Sequence, residues 1–410
     1  MAATFGLVAI SSLAANLVGG TRMYADDLAF LRAHVEVVEL VSADGRARVA
    51  VVPAWQGRVA TSTPAGLQGP SCGWIHRDQI TRGIRPPEER RGRLEEHIHV
   101  FGGEERFWLG PEGGQFSVYF APGAPFDFDH WRVPAPIDTD PFRVVRQTTT
   151  EVEFVHEFRL TNWSGHVRAA RVQRTVRLVE PDAVLEQFPR DARAKLETVA
   201  YETDNRLTNI GDQRWTPTTG LLSIWILGMY PPSPATVVVI PIRSGHEDEL
   251  GPRVRDTYFG AVPPTHLRVT DRHVLFRGDG TRRGKIGIPP RRSLGLAASW
   301  APDQGILTLV ACSRPSGPVR YVNSMWEMQA DPYDGDELNA YNDGPPAPGL
   351  PPLGPFYELE TSSPGGELAP GDTLRHVSRT LHLRGDREAL DRVARGVLGI
   401  GLDEIEAAFR

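Results

Sequence analysis

Cysteine is almost missing from this chain. Of 410 residues only Cys72 and Cys312 are cysteine, so neither a disulfide framework nor a Cys-rich zinc site can be built. Excess positive charge is missing as well. The 45 Lys and Arg are outnumbered by 51 Asp and Glu, a formal net charge of −6, which gives no general attraction to nucleic acid or to an anionic membrane. Uninterrupted apolar runs are also lacking. Residues Met1 to Gly20 carry no charge, but Ser, Asn and Gly break them up too often for a membrane span. The same stretch lacks a basic n-region, and Gly19-Gly20 is a poor cleavage site. Residues 1–22 are therefore expected to be a disordered extension or a degenerate export signal, and the chain to be cytoplasmic. Neither a fixed-period repeat nor a Gly/Ser-rich linker divides the middle of the chain.

What is present is strand pattern and turns. Hydrophobic residues make up 40%, enough for a core, and 41 Gly and 35 Pro make the chain turn-rich. From Glu151 to Leu160, apolar and charged residues alternate, with Val152, Phe154, His156, Phe158 and Leu160 on one face. Val167 to Leu178 repeats the pattern, with Ala170, Val172, Val176 and Leu178 on one face and Arg174 interrupting it. Such period-two patterns predict antiparallel strands with one buried face. Asn162 to Gly165 between them reads as a hairpin turn. Further apolar runs, Phe116–Phe120 and Thr236–Ile240 among them, predict more strands. Helical patterns are confined to the ends, over Ala25–Arg32, Asp386–Arg395 and Asp403–Phe409. The expected fold class is all-β, with one domain over residues 23–385 and a helical tail over 386–410.

Three constellations could carry chemistry. In His97-Ile98-His99 followed by Glu104, the two histidines would share a strand face. The H-x-H-x4-E spacing resembles the first metal-binding motif of cupins. The second cupin motif is broken at Pro370-Gly371, so no metal and no cofactor are expected. From Gly102 to Gln115, two glycine pairs bracket Arg106, Trp108 and Glu112, a mixture of ring and charge that suits a polyhydroxylated ligand. In Phe356 to Ser363, Glu358 and Glu360 share a strand face with Cα atoms about 6.6–7 Å apart. Two carboxylates so placed are costly in a core unless paired or solvated, and they suit a cleft with a general base.

These pieces resemble the galactose-mutarotase-like superfamily, and a bacterial branch of it marked by the Gly102–Gln115 segment, Ser71–Ile75, Ser223–Met229, Tyr341–Pro345 and Tyr357–Ser363. The resemblance runs from about Met23 to Gly385 and implies a β-supersandwich. It implies a base at Glu360, in Leu359-Glu360-Thr361 ahead of Leu368-Ala369-Pro370-Gly371. It also implies an acid histidine on a mid-chain strand. That strand here reads Leu222 to Leu227 without a histidine, and Trp225 lies near the expected place. The expected function is carbohydrate recognition, with chemistry at an anomeric centre or on a uronate. Glu360, Glu358 and Lys285 are the expected catalytic residues, acting in epimerase-like, hydrolase or lyase chemistry. Arg106, Trp108, Glu112, His97, Trp225, Asn342 and Asp343 are the expected sugar contacts. The alternatives are a non-catalytic sugar-binding protein and a metal-dependent cupin-like enzyme.

Overall fold

The computed structural model describes residues 22–410 apart from residues 318, 347, 348 and 350. The expectation for residues 1–22 thus falls outside the described residues, save for Arg22. Antiparallel strands dominate and form sheets of three, five and ten strands.

The centre of the ten-stranded sheet is made by the alternating segments. Strand Glu151–Thr161 buries Val152, Phe154, Phe158 and Leu160 and turns Glu157 and Arg159 to solvent. It pairs with Val167–Val179 along its whole length, and the hairpin between them closes through Gly165 at φ 84°. Strands Leu196–Asn209 and Thr373–Gly385 continue the ladder.

The five-stranded sheet runs in the order Gly284–Ile288, Leu338–Asn342, Tyr357–Ser362, Ser223–Tyr230, Arg106–Gly110. The pleat divides each strand between two faces. One face carries Ile286, Ile288, Leu338, Ala340 and Leu359, which pack on Val238, Ile240, Phe276, Ala297 and Val310 of the ten-stranded sheet. Each of the Ile, Leu, Val and Phe side chains among them contributes about 1.5–3 kcal/mol on burial. The opposite face therefore has to hold Lys285, Glu358, Glu360, Trp225, Arg106 and Trp108.

Two expectations need correction. Helices are not confined to the ends: single turns such as Arg77–Arg82, Pro87–Arg90 and Pro181–Leu185 interrupt the loops. They are too short to show a helical period, and two of them start on a proline whose fixed φ suits a first turn. Phe116–Phe120 is not a strand. Its apolar side chains are buried as anchors, with the Tyr119 hydroxyl donating to the Leu109 carbonyl at 2.7 Å, so burial was mistaken for a ladder. The terminal helices do form, over Tyr24–His34, Arg387–Leu398 and Leu402–Glu406. Asp386 caps the second by accepting from the Ala389 amide at 3.1 Å.

Arg174, which breaks the apolar phase of its strand, points inward. Its guanidinium is fully buried and donates to Glu105 at 2.9 Å, Asn205 at 2.6 Å and the Gly57 carbonyl at 3.1 Å. A guanidinium cannot shed its proton to escape burial. Glu105→Leu should therefore lower the unfolding free energy by about 3–5 kcal/mol, measured by denaturant titration. A loss below about 1 kcal/mol would show that the pair does not hold these sheets together.

Candidate functional site

The polar face of the five-stranded sheet holds two crossed ion pairs. In the ladder, Lys285 stands in the row of Tyr341 and Glu358, whereas Arg106 stands in the row of Leu227 and Glu360. Each cation bonds to the carboxylate of the other row. Lys285 Nζ lies 3.0 Å from Glu360 Oε2, and Arg106 donates to Glu358 Oε1 at 2.8 Å. The Trp225 indole N–H also donates to Glu360 Oε2, at 2.9 Å. Glu360 Oε1 is buried and has no hydrogen-bond partner. One oxygen of Glu360 is thus held twice and the other is unused.

The two central carboxylates are 0% and 5% exposed, for Glu360 and Glu358 respectively. Burial, opposed by Arg106 and reinforced by Glu360, pushes the Glu358 carboxyl up to about 8. Glu112 is half-buried; burial and Glu360 raise its pKa against the pull of Lys285.

The aromatic rings do not present free faces. The Lys285 ammonium lies 4.6 Å from the centre of the Trp225 ring and the Arg106 guanidinium 4.1 Å from that of Trp108. The two indoles meet edge-on at 5.6 Å. Beside Lys285 a cavity of about 10 Å³, room for one water, lies among Trp225, Asn339, Tyr258 and Asp336.

The remaining expected contacts lie apart from this cluster. Asn342 accepts from the Gly280 amide at 2.8 Å and donates to Asp279 and the Arg282 carbonyl, fastening a turn. Asp343 accepts from the Tyr341 hydroxyl at 2.7 Å and the Gly354 amide at 2.9 Å, and burial raises its carboxyl to about 6. His97 is not on a strand. It follows the short helix Leu94–Glu96, lies 2.9 Å from the Trp131 carbonyl and stacks on Phe128 at 4.3 Å. The H-x-H-x4-E spacing is thereby scattered: His99 pairs with Asp138 at 2.7 Å and Glu104 with His382 at 2.5 Å. Among the described residues no three His, Cys, Asp or Glu converge as a metal site.

Both glycine pairs of the Gly102–Gln115 segment serve close backbone packing. A Cβ on Gly102 would fall 2.4 Å from the Trp74 carbonyl oxygen, and one on Gly113 2.3 Å from that of Met325. Tyr258 and Asp336 were missed in the sequence. The Tyr258 hydroxyl donates to Asp336 Oδ2 at 2.6 Å, and burial raises Asp336 to about 6 against the pull of Arg255. The one available signal was that Asp336 falls in the long Asp- and Pro-rich stretch from Tyr333 to Pro355.

The chain belongs to a family of unknown function (DUF6786), which matches residues 22–409. No curated protein matches it. Its structural neighbours are galactose mutarotase-like proteins over most of its length. A galactose mutarotase-like protein from Lactobacillus casei ATCC 334 is 10% identical, covers 85% of this chain and 100% of its own, and gives a TM-score of 0.47. A galactose mutarotase related enzyme from Lactobacillus acidophilus is 8% identical over 85% of this chain and 97% of its own, with a TM-score of 0.44. The Slr1438 protein from Synechocystis sp. PCC 6803 is 13% identical over 86% and 96%, at 0.49. Among the described residues no helix is long and apolar enough to cross a membrane.

The shifted Glu358 carboxyl makes stability depend on pH. A group that holds its proton more tightly folded than unfolded stabilises most below its ordinary value of 4.5, and that contribution is lost as pH rises through about 8. Relative to Glu358→Gln, the parent should lose up to about 1.4 kcal/mol of unfolding free energy per pH unit across this window. Parallel profiles for the two proteins in denaturant titrations at a series of pH values would refute it.

Proposed function

We propose that this protein recognises a carbohydrate at the polar face of the five-stranded sheet, with Glu360 accepting a hydroxyl proton or hydrogen bond there. The observation that carries this reading is the division of labour at Glu360. Oε2 is fixed by Lys285 and Trp225, while Oε1 is buried with no partner. A base needs its free lone pair aimed at the reacting proton, and the remaining groups must hold it there. Glu358, which keeps its proton to about pH 8, stands two residues away on the same face. A carboxyl group that holds its proton beside an acceptor oxygen suits acid–base chemistry at an anomeric centre. Lys285 supplies the neighbouring cation, 3.0 Å from Glu360 Oε2. The same arrangement would serve a uronate as well as a neutral sugar.

A non-catalytic sugar-binding role is the second reading, and Trp225 favours it. The Trp225 indole N–H donates to Glu360, but an indole does not exchange that proton as an imidazole does. Turnover on a panel of aldoses and uronates separates the two readings.

Glu360→Gln keeps an acceptor for Lys285 and Trp225 but removes the charge. Sugar binding should weaken by about 1.5–3 kcal/mol in isothermal calorimetry against monosaccharides and uronates, or more if Glu360 is the base. Glu153→Gln, on the ten-stranded sheet, is the control. Parent-like binding by Glu360→Gln would overturn the assignment, and a collapsed thermal melt would reduce Glu360 to a structural ion-pair partner.

A further inference from the structure

The cavity beside Lys285 is far too small for a sugar, so part of its wall must move before one can bind. Most of that wall is fixed. Trp225, Lys285, Asn339 and Ser362 stand on paired strands of the five-stranded sheet. The loop that contributes Ser324 is fastened to the glycine turn below it. The Glu112 amide donates to Ser324 Oγ at 3.1 Å, and Gln115 and Gln329 exchange hydrogen bonds at 3.0 and 3.1 Å. Gly113 lets this loop press directly on the turn, with the Met325 carbonyl oxygen 2.3 Å from where a Cβ would sit.

The segment Arg255–Ala261 is held differently. Its backbone touches the sheet at one point, where Arg255 and Gly287 exchange amide hydrogen bonds at 2.8 and 2.7 Å on the outer side of the edge strand. Its side chains converge on Asp336. Arg255 donates to Asp336 Oδ1 at 3.1 Å and to Asp334 at 2.6 Å, and the Tyr258 hydroxyl takes Asp336 Oδ2 at 2.6 Å. Asp336 presses so closely on the edge strand that a Cβ on Gly287 would lie 2.0 Å from Oδ2. Beyond Tyr258, the residues Phe259, Gly260 and Ala261 are exposed, and Phe259 packs under the Arg283 guanidinium at 3.8 Å. The Tyr258 ring itself lies 5.6 Å from Lys285 Nζ, as part of the cavity wall.

We propose that Arg255–Ala261 is a gate over the cavity beside Lys285 and that the Tyr258–Asp336 hydrogen bond is its latch. Swinging this segment outward breaks one backbone bridge, one buried side-chain cluster and the contacts of Phe259 with Arg283 and Tyr341, whereas moving the strands or the Ser324 loop breaks a ladder or the packed glycine turn. Local openings of this kind draw on segments with few buried contacts. What passes the gate is the sugar, so that part of the inference rests on the carbohydrate reading above; the gate itself does not.

Hydrogen exchange on the full chain, read by mass spectrometry, tests the gate without any ligand. Tyr258→Phe removes the latch hydroxyl and keeps the ring, and Asp336→Asn is the second variant should the first fold poorly. The Arg255 and Gly287 amides should exchange roughly tenfold faster in the variant, while the Gln329 amide, bonded to Gln115, stays at the parent rate. Unchanged exchange at Arg255 and Gly287, or an equal rise at Gln329, would overturn the gate. Stopped-flow binding supplies the second arm, and the association rate of any sugar bound by the parent should rise in the variant. If exchange responds as expected but no sugar binds either protein, the carbohydrate reading fails and the gate stands. If sugar binds and exchange does not respond, the gate fails and the reading stands.

Discussion

A carboxyl group on a sheet face turned away from water needs a polar partner, and this requirement organises the five-stranded sheet. Strand Tyr357–Ser362 occupies the centre of that sheet. Its pleat sends Leu359 into the apolar layer between the sheets and so commits Glu358 and Glu360 to the other face. Neither carboxylate has a cation on a neighbouring strand. Lys285 reaches Glu360 from one edge strand and Arg106 reaches Glu358 from the other. These two contacts thus tie both edges of the sheet to its middle. The pairs also cross between ladder rows, so a shift of register in any one strand would break them.

The same demand recurs between the sheets, where Arg174 meets Glu105, and Glu104 meets His382. The adjacent residues Glu104, Glu105 and Arg106 therefore serve three different partners. Their crowding between Gly103 and Trp108 reflects how the chain passes from the inter-sheet core to the polar face, more than a single ligand surface. The flanking glycines belong to this passage. Gly102 and Gly103 have φ of 85° and 111° and lie against backbone where a side chain could not fit.

Much of this was legible in the sequence, for physical reasons. Period-two alternation survives wherever one face of a strand meets solvent, as in Glu151–Thr161, and so does the odd polar residue that breaks it, as Arg174 does. Glu358 and Glu360 were legible for the same reason, because two charged residues on one face of an otherwise apolar strand demand an explanation. Strands buried on both faces lose the alternation. Strand Leu338–Asn342 is buried throughout and shows no alternation of exposure. Partner choice was less legible still. Nothing in the spacing of Lys285 and Glu360 says that they meet, and the meeting of Tyr258 with Asp336 depends on how a loop crosses an edge strand. His97 misled because a strand was assumed where a short helical turn sets the ring elsewhere.

Burial and pairing together bear on what the Glu360 face can do. A carboxylate in water is a weak base surrounded by competing donors. Enclosed with one ammonium and one indole N–H, both on Oε2, it keeps one oxygen free in a place where electrostatic interactions are strong. Trp225 is consistent with such a role, because it holds Glu360 without competing for the proton. It cannot, however, return a proton to a sugar ring oxygen. Under the carbohydrate reading that duty falls to a group that is protonated near neutral pH and shares the face, and burial gives Glu358 that property. The crossed ion pairs then have a chemical consequence beyond holding the sheet. Lys285 stands beside Glu360 as counter-charge while Arg106 engages one oxygen of Glu358, so two like groups two residues apart are set in unlike environments. At Glu358 burial and the neighbouring Glu360 outweigh the pull of Arg106.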